Sequence, residues 1–330
     1  MMHQTRIRAQ ACARTYPDGT RALQPTDLSI ENGERLVLLG PSGCGKTTML
    51  RILSGLDRPD PGGRVLYGDD DVTDLPIEKR GVGMVFQSYA LFPNMNVLDN
   101  IGYGPRLKGL SRVERESRIN QFLKLCRIEA LAERRIDQLS GGQRQRVALA
   151  RALAAEPRAI FLDEPLTALD ASLRETLRDE IAALLGQLNV TSVYVTHDQA
   201  EAMAIADRIV VMSEGRIEQI GCARTVYETP ANLFVAEFIG ETNRLSENEG
   251  TIRLIRPEHL EIVPPSQGRP ARVTNVTYLG AISRITATGV DGEMKIVEHR
   301  GRRFNPGDEI GVAFDEAHVM KFSGHEREKS

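Results

Sequence analysis

The sequence lacks tryptophan, a long apolar run and any regular arrangement of cysteines. Without tryptophan, the chain absorbs only weakly in the near ultraviolet. No stretch approaches the ~20 apolar residues that a membrane-spanning helix requires. Cys12, Cys44, Cys126 and Cys222 stand singly, which excludes the spacing of a cysteine metal site or a disulfide framework. The first six residues also lack the apolar core of a secretory signal. We therefore expect free thiols and a location in the cytoplasm.

The sequence also lacks a strong charge of either sign. The formal net charge is −3 and the pI is near 6.1, so no overall basic field favours nucleic acid as a partner. Hydrophobic residues make up 41% of the chain, which is ordinary for a globular core. The length of 330 residues predicts about two domains.

A glycine-rich turn between an apolar run and a helical pattern is the first chemical signal. Residues 40–48 read Gly-Pro-Ser-Gly-Cys-Gly-Lys-Thr-Thr, after an apolar run at 35–39 and before helically spaced apolar residues. The glycines allow backbone N–H groups to point at phosphate oxygens at a helix N-terminus. We predict that Lys46 contacts the β- and γ-phosphates and that Thr47 ligates Mg²⁺. Cys44 contributes its backbone, and we predict no role for its thiol.

Polar residues follow three further apolar runs. Asp163 and Glu164 follow the run at 159–162, and in a parallel α/β sheet ligands bind at the carboxyl ends of strands. We predict that Asp163 holds the metal and that Glu164 accepts a proton from the attacking water. His197 follows the run at 192–195 and is predicted to contact the γ-phosphate. Gln87 follows the run at 83–86 and is predicted to orient water or ligate Mg²⁺.

A rarer motif reads Leu-Ser-Gly-Gly-Gln at 139–143 and precedes an uninterrupted helical stretch to residue 154. Ser140, Gly141 and Gly142 therefore form a second predicted anion-binding helix N-terminus. In this order, the motifs resemble the ATP-binding subunit of a bacterial ATP-binding-cassette (ABC) importer over residues 4–240.

The resemblance implies roles for named residues. The implied catalytic residues are Lys46, Gln87, Glu164 and His197. The implied Mg²⁺ ligands are Thr47, Gln87 and Asp163. The implied ATP contacts are Tyr16, Gly40, Pro41, Ser42, Gly43, Cys44, Gly45, Lys46, Thr47, Thr48, Ser140, Gly141, Gly142, Gln143 and Asp170. Residues 167–170 resemble the D-loop of the family. Tyr16 would stack on adenine, and the alternative is a tyrosine that only precedes a Pro-Asp-Gly turn.

The resemblance also implies partners. Two copies of the chain would sandwich two ATP molecules head to tail, with the 139–143 motif of one copy serving the ATP of the other. Two membrane-spanning permease subunits would bind the pair at the cytoplasmic face of the inner membrane. An extracytoplasmic solute-binding protein would contribute indirectly. Residues 88–93 are rich in apolar residues, and they are either a loop tucked against helices or a groove for a cytoplasmic helix of the permease.

The end of the chain changes character after residue 240. Five short β-type runs lie between 271 and 322, and turn signals separate several of them. Residues 255–260 read Ile-Arg-Pro-Glu-His-Leu, which resembles the TOBE domain of importer ATPases. The predicted fold is an α/β P-loop NTPase cassette with a helical subdomain near 94–150. A small all-β, oligonucleotide-binding-like barrel follows at 241–330, shortened at its start because only 243–251 precede the motif.

Other functions stay open at this point. A soluble ABC ATPase of DNA repair or translation usually carries a coiled-coil insertion or a second cassette, and this sequence has neither. A regulatory module with a vestigial ATPase would not need every motif residue. An exporter subunit is closer, but the C-terminal β region favours import. The runs at 73–80 and 278–280 favour a polyamine, ferric iron or phosphonate as the solute over a sugar or sulfate, by pattern alone.

Overall fold

The computed structural model describes residues 5–323, except 168, 249 and 300. The chain divides into two compact units, one ending at Ala223 and one beginning at Arg224. The strands of the first unit are β1 (Ile7–Thr15), β2 (Arg21–Ile30), β3 (Arg35–Leu39), β4 (Arg64–Tyr67), β5 (Asp70–Asp71), β6 (Gly83–Val85), β7 (Ile160–Asp163), β8 (Ser192–Thr196), β9 (Arg208–Ser213) and β10 (Arg216–Gly221). Its helices are α1 (Lys46–Ser54), α2 (Ile77–Arg80), α3 (Val97–Leu107), α4 (Arg112–Leu125), α5 (Gly141–Ala154), α6 (Ala171–Leu188) and α7 (Gln199–Ile205).

A six-stranded sheet forms the centre of the first unit. Its order is β10-β9-β3-β8-β7-β6. The five strands β9, β3, β8, β7 and β6 run parallel, and β10 pairs antiparallel with β9 at the edge. Leu36 to Leu39 are fully buried, as expected for a parallel strand that is covered on both faces. The structure confirms the strands that the sequence predicts before the glycine-rich turn, the paired acids and His197.

A second, antiparallel sheet has the order β2-β1-β4-β5. Its inner face packs with α1 and the central sheet in one apolar core, which joins Ile7 and Val65 to Met49, Leu38 and Phe161. The core therefore fixes α1 between two sheets.

Three helices form a separate layer in the first unit. α3 packs against α4 and α5. The sequence predicts a helix at 113–128 with an apolar stripe, and α4 buries Phe122 and Leu123 of that stripe. Ser111 and Glu114 form a capping box that begins α4. Among the described residues, no helix combines the length and the apolar character that a membrane crossing demands.

The second unit is mainly β structure. Its helices and strands are α8 (Ala223–Glu228), which starts at the boundary, α9 (Leu233–Phe238), β11 (Asn243–Asn248), β12 (Thr251–Ile255), β13 (Glu261–Val263), β14 (Arg269–Tyr278), β15 (Ser283–Gly289), β16 (Gly292–Glu298), β17 (Glu309–Ala313) and β18 (Met320–Ser323). The sheet orders are β11-β12-β18 and β13-β17-β14-β15-β16, and all pairs are antiparallel. The five predicted strands are confirmed with ends shifted by a few residues. The sequence does not predict β11 to β13.

A buried arginine holds the end of α1. Arg80 is 1% exposed, and its guanidinium donates to the carbonyls of Ile52 and Leu53 at 2.9 Å each. It also donates to the carbonyls of Leu75 at 2.8 Å and Thr73 at 3.1 Å. The last carbonyls of a helix lack partners within the helix. Arg80 donates hydrogen bonds to such carbonyls at a buried position, where water cannot do so.

We expect Arg80→Met to destabilise the protein by about 3 kcal/mol, because it removes the four hydrogen bonds that the buried guanidinium makes. Urea titrations of the full chain measure the loss. The matched control is Arg64→Met, which removes an arginine whose side chain is 56% exposed. The control should cost at most about 1 kcal/mol, as is usual for exposed ion pairs. Equal losses in the two variants would contradict this assignment.

Candidate functional site

Parallel register brings the predicted site residues to one edge of the central sheet. β3 ends at Leu39, which lies beside Thr196 at the end of β8. Asp163, at the end of β7, lies beside Val195 of β8, and β6 pairs in parallel register with β7. The segments that follow these four strands carry the glycine-rich turn, His197, the paired acids and Gln87. Their convergence follows from strand direction alone.

The glycine-rich turn wraps closely against neighbouring backbone. Gly45 has φ of +99°, and a Cβ there would lie 2.6 Å from the carbonyl oxygen of Ala22. Only glycine fits that combination of conformation and space. Lys46 begins α1, is 5% exposed, and its Nζ donates to the carbonyls of Gly40 and Pro41 at 2.8 Å each. The ammonium is thus held over the turn at the positive end of a helix.

The other predicted residues of the turn divide by exposure. Pro41, Ser42, Gly43 and Thr47 are exposed and form its outer rim, whereas Cys44 is buried. Burial raises the pKa of the Cys44 thiol, although Lys46 opposes the shift. The absence of a role for this thiol stays a prediction.

Thr47 and Asp163 meet across the site. The Thr47 Oγ1 donates to Asp163 Oδ1 at 3.2 Å. Burial, and to a lesser extent the charge of Glu164, raises the pKa of Asp163, while the Thr47 hydrogen bond opposes the shift. Within the part of the chain that is described, no three His, Cys, Asp or Glu side chains gather as metal ligands. A cation here would draw its remaining oxygen ligands from a bound phosphate or water.

Glu164 lies beside His197 in a strained backbone conformation. Its φ is +45°, and its N–H donates to the Val195 carbonyl at 3.1 Å. Left-handed conformation costs energy for a residue other than glycine and occurs often at functional sites. Glu164 Oε2 accepts a hydrogen bond from Thr167 Oγ1 at 3.1 Å and lies 3.3 Å from His197 Nδ1. The structure therefore brings together the two residues predicted to act on the γ-phosphate side.

Behind His197 lies a buried acid to which the sequence assigns no role. Tyr194 Oη and Thr196 Oγ1 both donate to Glu201 Oε2 at 2.8 Å. Burial raises the pKa of Glu201, and the two hydroxyl donors oppose the shift. The side chain of Asp198 caps α7 by accepting the N–H of Glu201 at 3.1 Å. The available signal was an acid one helical turn after a histidine at a strand end.

The segment after Gln87 is held by the helix that follows the 139–143 motif. Gln87 is exposed, and Tyr89 and Ala90 have φ of +65° and +47°. The guanidinium of Arg151 on α5 donates to the carbonyl of Tyr89 at 3.2 Å and to that of Ala90 at 2.8 Å. Strain in this segment is therefore balanced by contacts with α5. The sequence does not predict the contribution of Arg151.

The large apolar residues at 88–93 are at most partly exposed, whereas Ala90 and Pro93 are exposed. Tyr89 is buried and Phe92 is half-buried. The centroid of the Phe92 ring lies 4.5 Å from that of Tyr103 on α3, and the Arg151 guanidinium lies 5.3 Å from the Phe92 centroid. These contacts fit a loop tucked against helices, and the exposed part of Phe92 leaves room for a partner.

Tyr16 lies next to α1. Its Oη is 3.3 Å from Thr48 Oγ1, and the guanidinium of Arg14 lies 5.4 Å from its ring centroid. The half-buried ring is therefore anchored beside the glycine-rich turn. This position fits stacking on a base and also fits the alternative of an ordinary tyrosine before a turn.

Ser140 and Gln143 form a capping box at the start of α5. Ser140 Oγ accepts the Gln143 N–H at 3.3 Å, and Gln143 Oε1 accepts the Ser140 N–H at 2.9 Å. The Ser-x-x-Gln spacing is a signal for this arrangement. Ser140 is exposed, and added Cβ atoms on Gly141 and Gly142 would lie within 3.0 Å of leucine side chains. The motif is thus an exposed helix N-terminus that is packed closely behind.

Asp170 also caps a helix. Its Oδ1 accepts the N–H of Leu173 at 3.0 Å at the start of α6. Arg174, which the sequence does not single out, donates to the Leu169 carbonyl at 2.9 Å and lies 3.7 Å from Asp198 Oδ2. Within the predicted D-loop at 167–170, Ala168 lies outside the described residues. Arg174 therefore connects this loop to the segment that carries His197.

Comparison with known proteins agrees with this geometry. The family profile "ABC transporter" matches residues 23–167, and the profile "TOBE domain" matches residues 254–322. The sulfate/thiosulfate import ATP-binding protein CysA of Pseudomonas aeruginosa is 48% identical over 84% of this chain and 86% of its own length. The spermidine/putrescine import ATP-binding protein PotA of Mesorhizobium japonicum is 41% identical over 91% of this chain and 92% of its own length.

Solved structures point the same way. A dimeric ATP-binding cassette in a post-hydrolysis state, bound to ADP and Pi, matches with a TM-score of 0.59 and 34% identity. The match covers 66% of this chain and 99% of the other. The predicted fold class and the resemblance stated from the motifs are confirmed. The chain belongs to the ABC transporter family, as an ATP-binding and ATP-hydrolysing subunit that carries a TOBE domain.

Proposed function

We propose that this chain hydrolyses ATP to drive the import of a solute through a membrane transporter. Its sulfate/thiosulfate and spermidine/putrescine relatives are both import ATP-binding proteins. The observation that carries the proposal is the pair of Glu164 and His197, 3.3 Å apart, at the sheet edge that also holds the glycine-rich turn. A regulatory module without ATPase activity would not need that pair, and the TOBE domain favours import over the other readings.

In the proposed mechanism, each predicted site residue at the edge of the central sheet has a role in binding or hydrolysing ATP. Backbone N–H groups of the turn and the Lys46 ammonium would bind the β- and γ-phosphates. Thr47 and Asp163, whose oxygens are 3.2 Å apart, would hold Mg²⁺, which neutralises charge on the phosphates. Glu164 would take the proton of the attacking water, and His197 would contact the γ-phosphate. Gln87 would orient water or complete the metal site.

We propose that the working form is a pair of chains. Ser140, Gly141 and Gly142 form a helix N-terminus at which Ser140 is exposed, and such a terminus attracts anions through its backbone N–H groups and its dipole. In a head-to-tail pair this terminus would face the γ-phosphate of ATP bound by the partner, and Asp170 would lie near the joint. The dimeric form of a solved relative supports this arrangement. Loss of the γ-phosphate would then open the pair.

The pair would act on permease subunits at the cytoplasmic face of the inner membrane. Two membrane-spanning subunits and an extracytoplasmic solute-binding protein are the proposed partners. We propose that the partly exposed ring of Phe92 contacts a cytoplasmic helix of the permease. The Arg151 contacts to Tyr89, Ala90 and Phe92 would pass the state of that contact to the helix that carries the 139–143 motif.

The proposed solute is a polyamine, ferric iron or a phosphonate. The polyamine relative supports this class, whereas the sulfate/thiosulfate relative, at higher identity, makes sulfate the alternative. In the proposed division of the chain, residues 4–240 form the ATPase domain and residues 241–330 the TOBE domain. The TOBE profile at 254–322 lies within the second of these ranges.

We expect Glu164→Gln to lower ATP turnover by at least about a hundredfold, because the amide cannot accept the proton. The variant should still bind ATP and retain it without hydrolysis. Phosphate release measures turnover, and rapid filtration with labelled ATP measures retention. The control is Glu175→Gln on α6, where the side chain is 73% exposed. Turnover of Glu164→Gln close to that of the control would refute the proposed role.

We expect Phe92→Ala to leave ATP binding unchanged but to break the contact with the permease, and so to uncouple hydrolysis from transport. The tagged chain is purified from its native cells in detergent with ATP, and mass spectrometry identifies the membrane-spanning proteins that accompany it. Phe92→Ala should lose them, whereas Tyr278→Ala should retain them. Tyr278, the control position, lies in the second unit and is 77% exposed. Recovery of the same membrane proteins with both variants would exclude Phe92 from the contact.

A further inference from the structure

Glu201, the acid next to the segment that carries His197, is buried, and burying a carboxylate costs free energy. Glu201 is only 4% exposed, and a carboxylate without water must be satisfied by protein donors. Two hydroxyl groups supply them, since Tyr194 Oη and Thr196 Oγ1 both donate to the same oxygen at 2.8 Å. Charge-assisted hydrogen bonds of this length are stronger than neutral ones. The acid therefore joins α7 firmly to β8.

The two donors belong to a rigid part of the sheet. Tyr194 is 1% exposed and lies in parallel register between Val37 of β3 and Leu162 of β7. The position of its hydroxyl group is therefore fixed by the sheet. Glu201 is equally fixed on the other side, because it lies on α7, whose first N–H groups are capped by Asp198.

Thr196 and Asp198 are tied directly to each other around His197. The Thr196 hydroxyl donates to Glu201 and accepts the Asp198 N–H at 2.9 Å. His197 is therefore the one residue between two positions that the network restrains. His197 Nδ1 lies 3.3 Å from Glu164 Oε2. The backbone N–H of Glu164 in turn donates to the carbonyl of Val195 on β8, the strand that precedes His197.

We propose that Glu201 is a positioning residue that holds His197 against Glu164 and so aligns both for hydrolysis. The inference rests on the proposed role of His197 and adds the residue through which that role depends on the fold. Displacement of a reacting group by a fraction of its contact distance is enough to slow an enzyme strongly. A buried acid that served stability alone would have no specific link to His197.

A double-mutant cycle separates these two cases. Glu201→Leu and His197→Ala are made singly and together in the full chain, and phosphate release is measured for each purified protein. Glu201→Leu should lower turnover about ten- to a hundredfold in the parent chain. In the His197→Ala background the same change should have less than about a twofold effect, because the group it positions is already gone.

Conservative variants guard against a fold defect. Glu201→Gln keeps an oxygen that accepts both hydroxyl hydrogen bonds, so it should restore most of the turnover lost in Glu201→Leu. Tyr194→Phe removes one donor while keeping the ring, and it should lower turnover only in the presence of His197. Its matched control is Tyr67→Phe, because the Tyr67 hydroxyl is also buried and donates to the Leu53 carbonyl at 2.8 Å. The control should leave turnover unchanged.

The outcomes differ for the two proposals. Equal fold losses from Glu201→Leu and Tyr194→Phe in both backgrounds would overturn the positioning role and leave the proposed ATPase mechanism intact. A loss of folded protein alone gives this additive result, since it reduces the active fraction in each background alike. Full turnover in His197→Ala would instead overturn the role of His197, and the positioning role with it.

Discussion

The parallel register of β3, β8, β7 and β6 is the constraint on which the site depends. Because all four strands run in one direction, their carboxyl ends meet at one edge, and the segments that leave this edge are placed to act on one bound phosphate in the proposed mechanism. The apolar core fixes α1 against the sheet, so the glycine-rich turn has a rigid base. The position of the proposed catalytic groups is thus set mainly by the backbone hydrogen bonds of the sheet.

Buried polar groups then refine what the sheet arranges. Arg80 closes the far end of α1, and Glu201 joins α7 to β8 behind His197. Each is costly to bury alone, and each is satisfied by several partners. At the functional rim, Glu164, Tyr89 and Ala90 adopt strained left-handed conformations that neighbouring contacts hold. A rigid interior with a strained rim suits the proposed opening of the pair when the γ-phosphate leaves.

The sequence predicts the strands of the central sheet and the turn well because short apolar runs and glycine spacing are local signals. The capping box of Ser140 and Gln143 is equally local and was available from spacing alone. The partners of Glu201, Arg151 and Arg174 are not predictable in this way, since they depend on which strands and helices become neighbours. β11 also escapes prediction because Asn243–Asn248 is polar and lacks alternation, so its pairing with β12 reflects tertiary context.

The central claim is that the helix N-terminus at Ser140 binds the ATP of a second copy. Sedimentation equilibrium of the full Glu164→Gln chain tests it most directly, with a second substitution at Ser140. Asp and Asn both cap helices well, but only Asp places a negative charge against a phosphate. With ATP, the Ser140→Asn form should double in mass from 36.5 kDa and the Ser140→Asp form should stay monomeric. Equal association of the two forms, or none with either, would contradict the account.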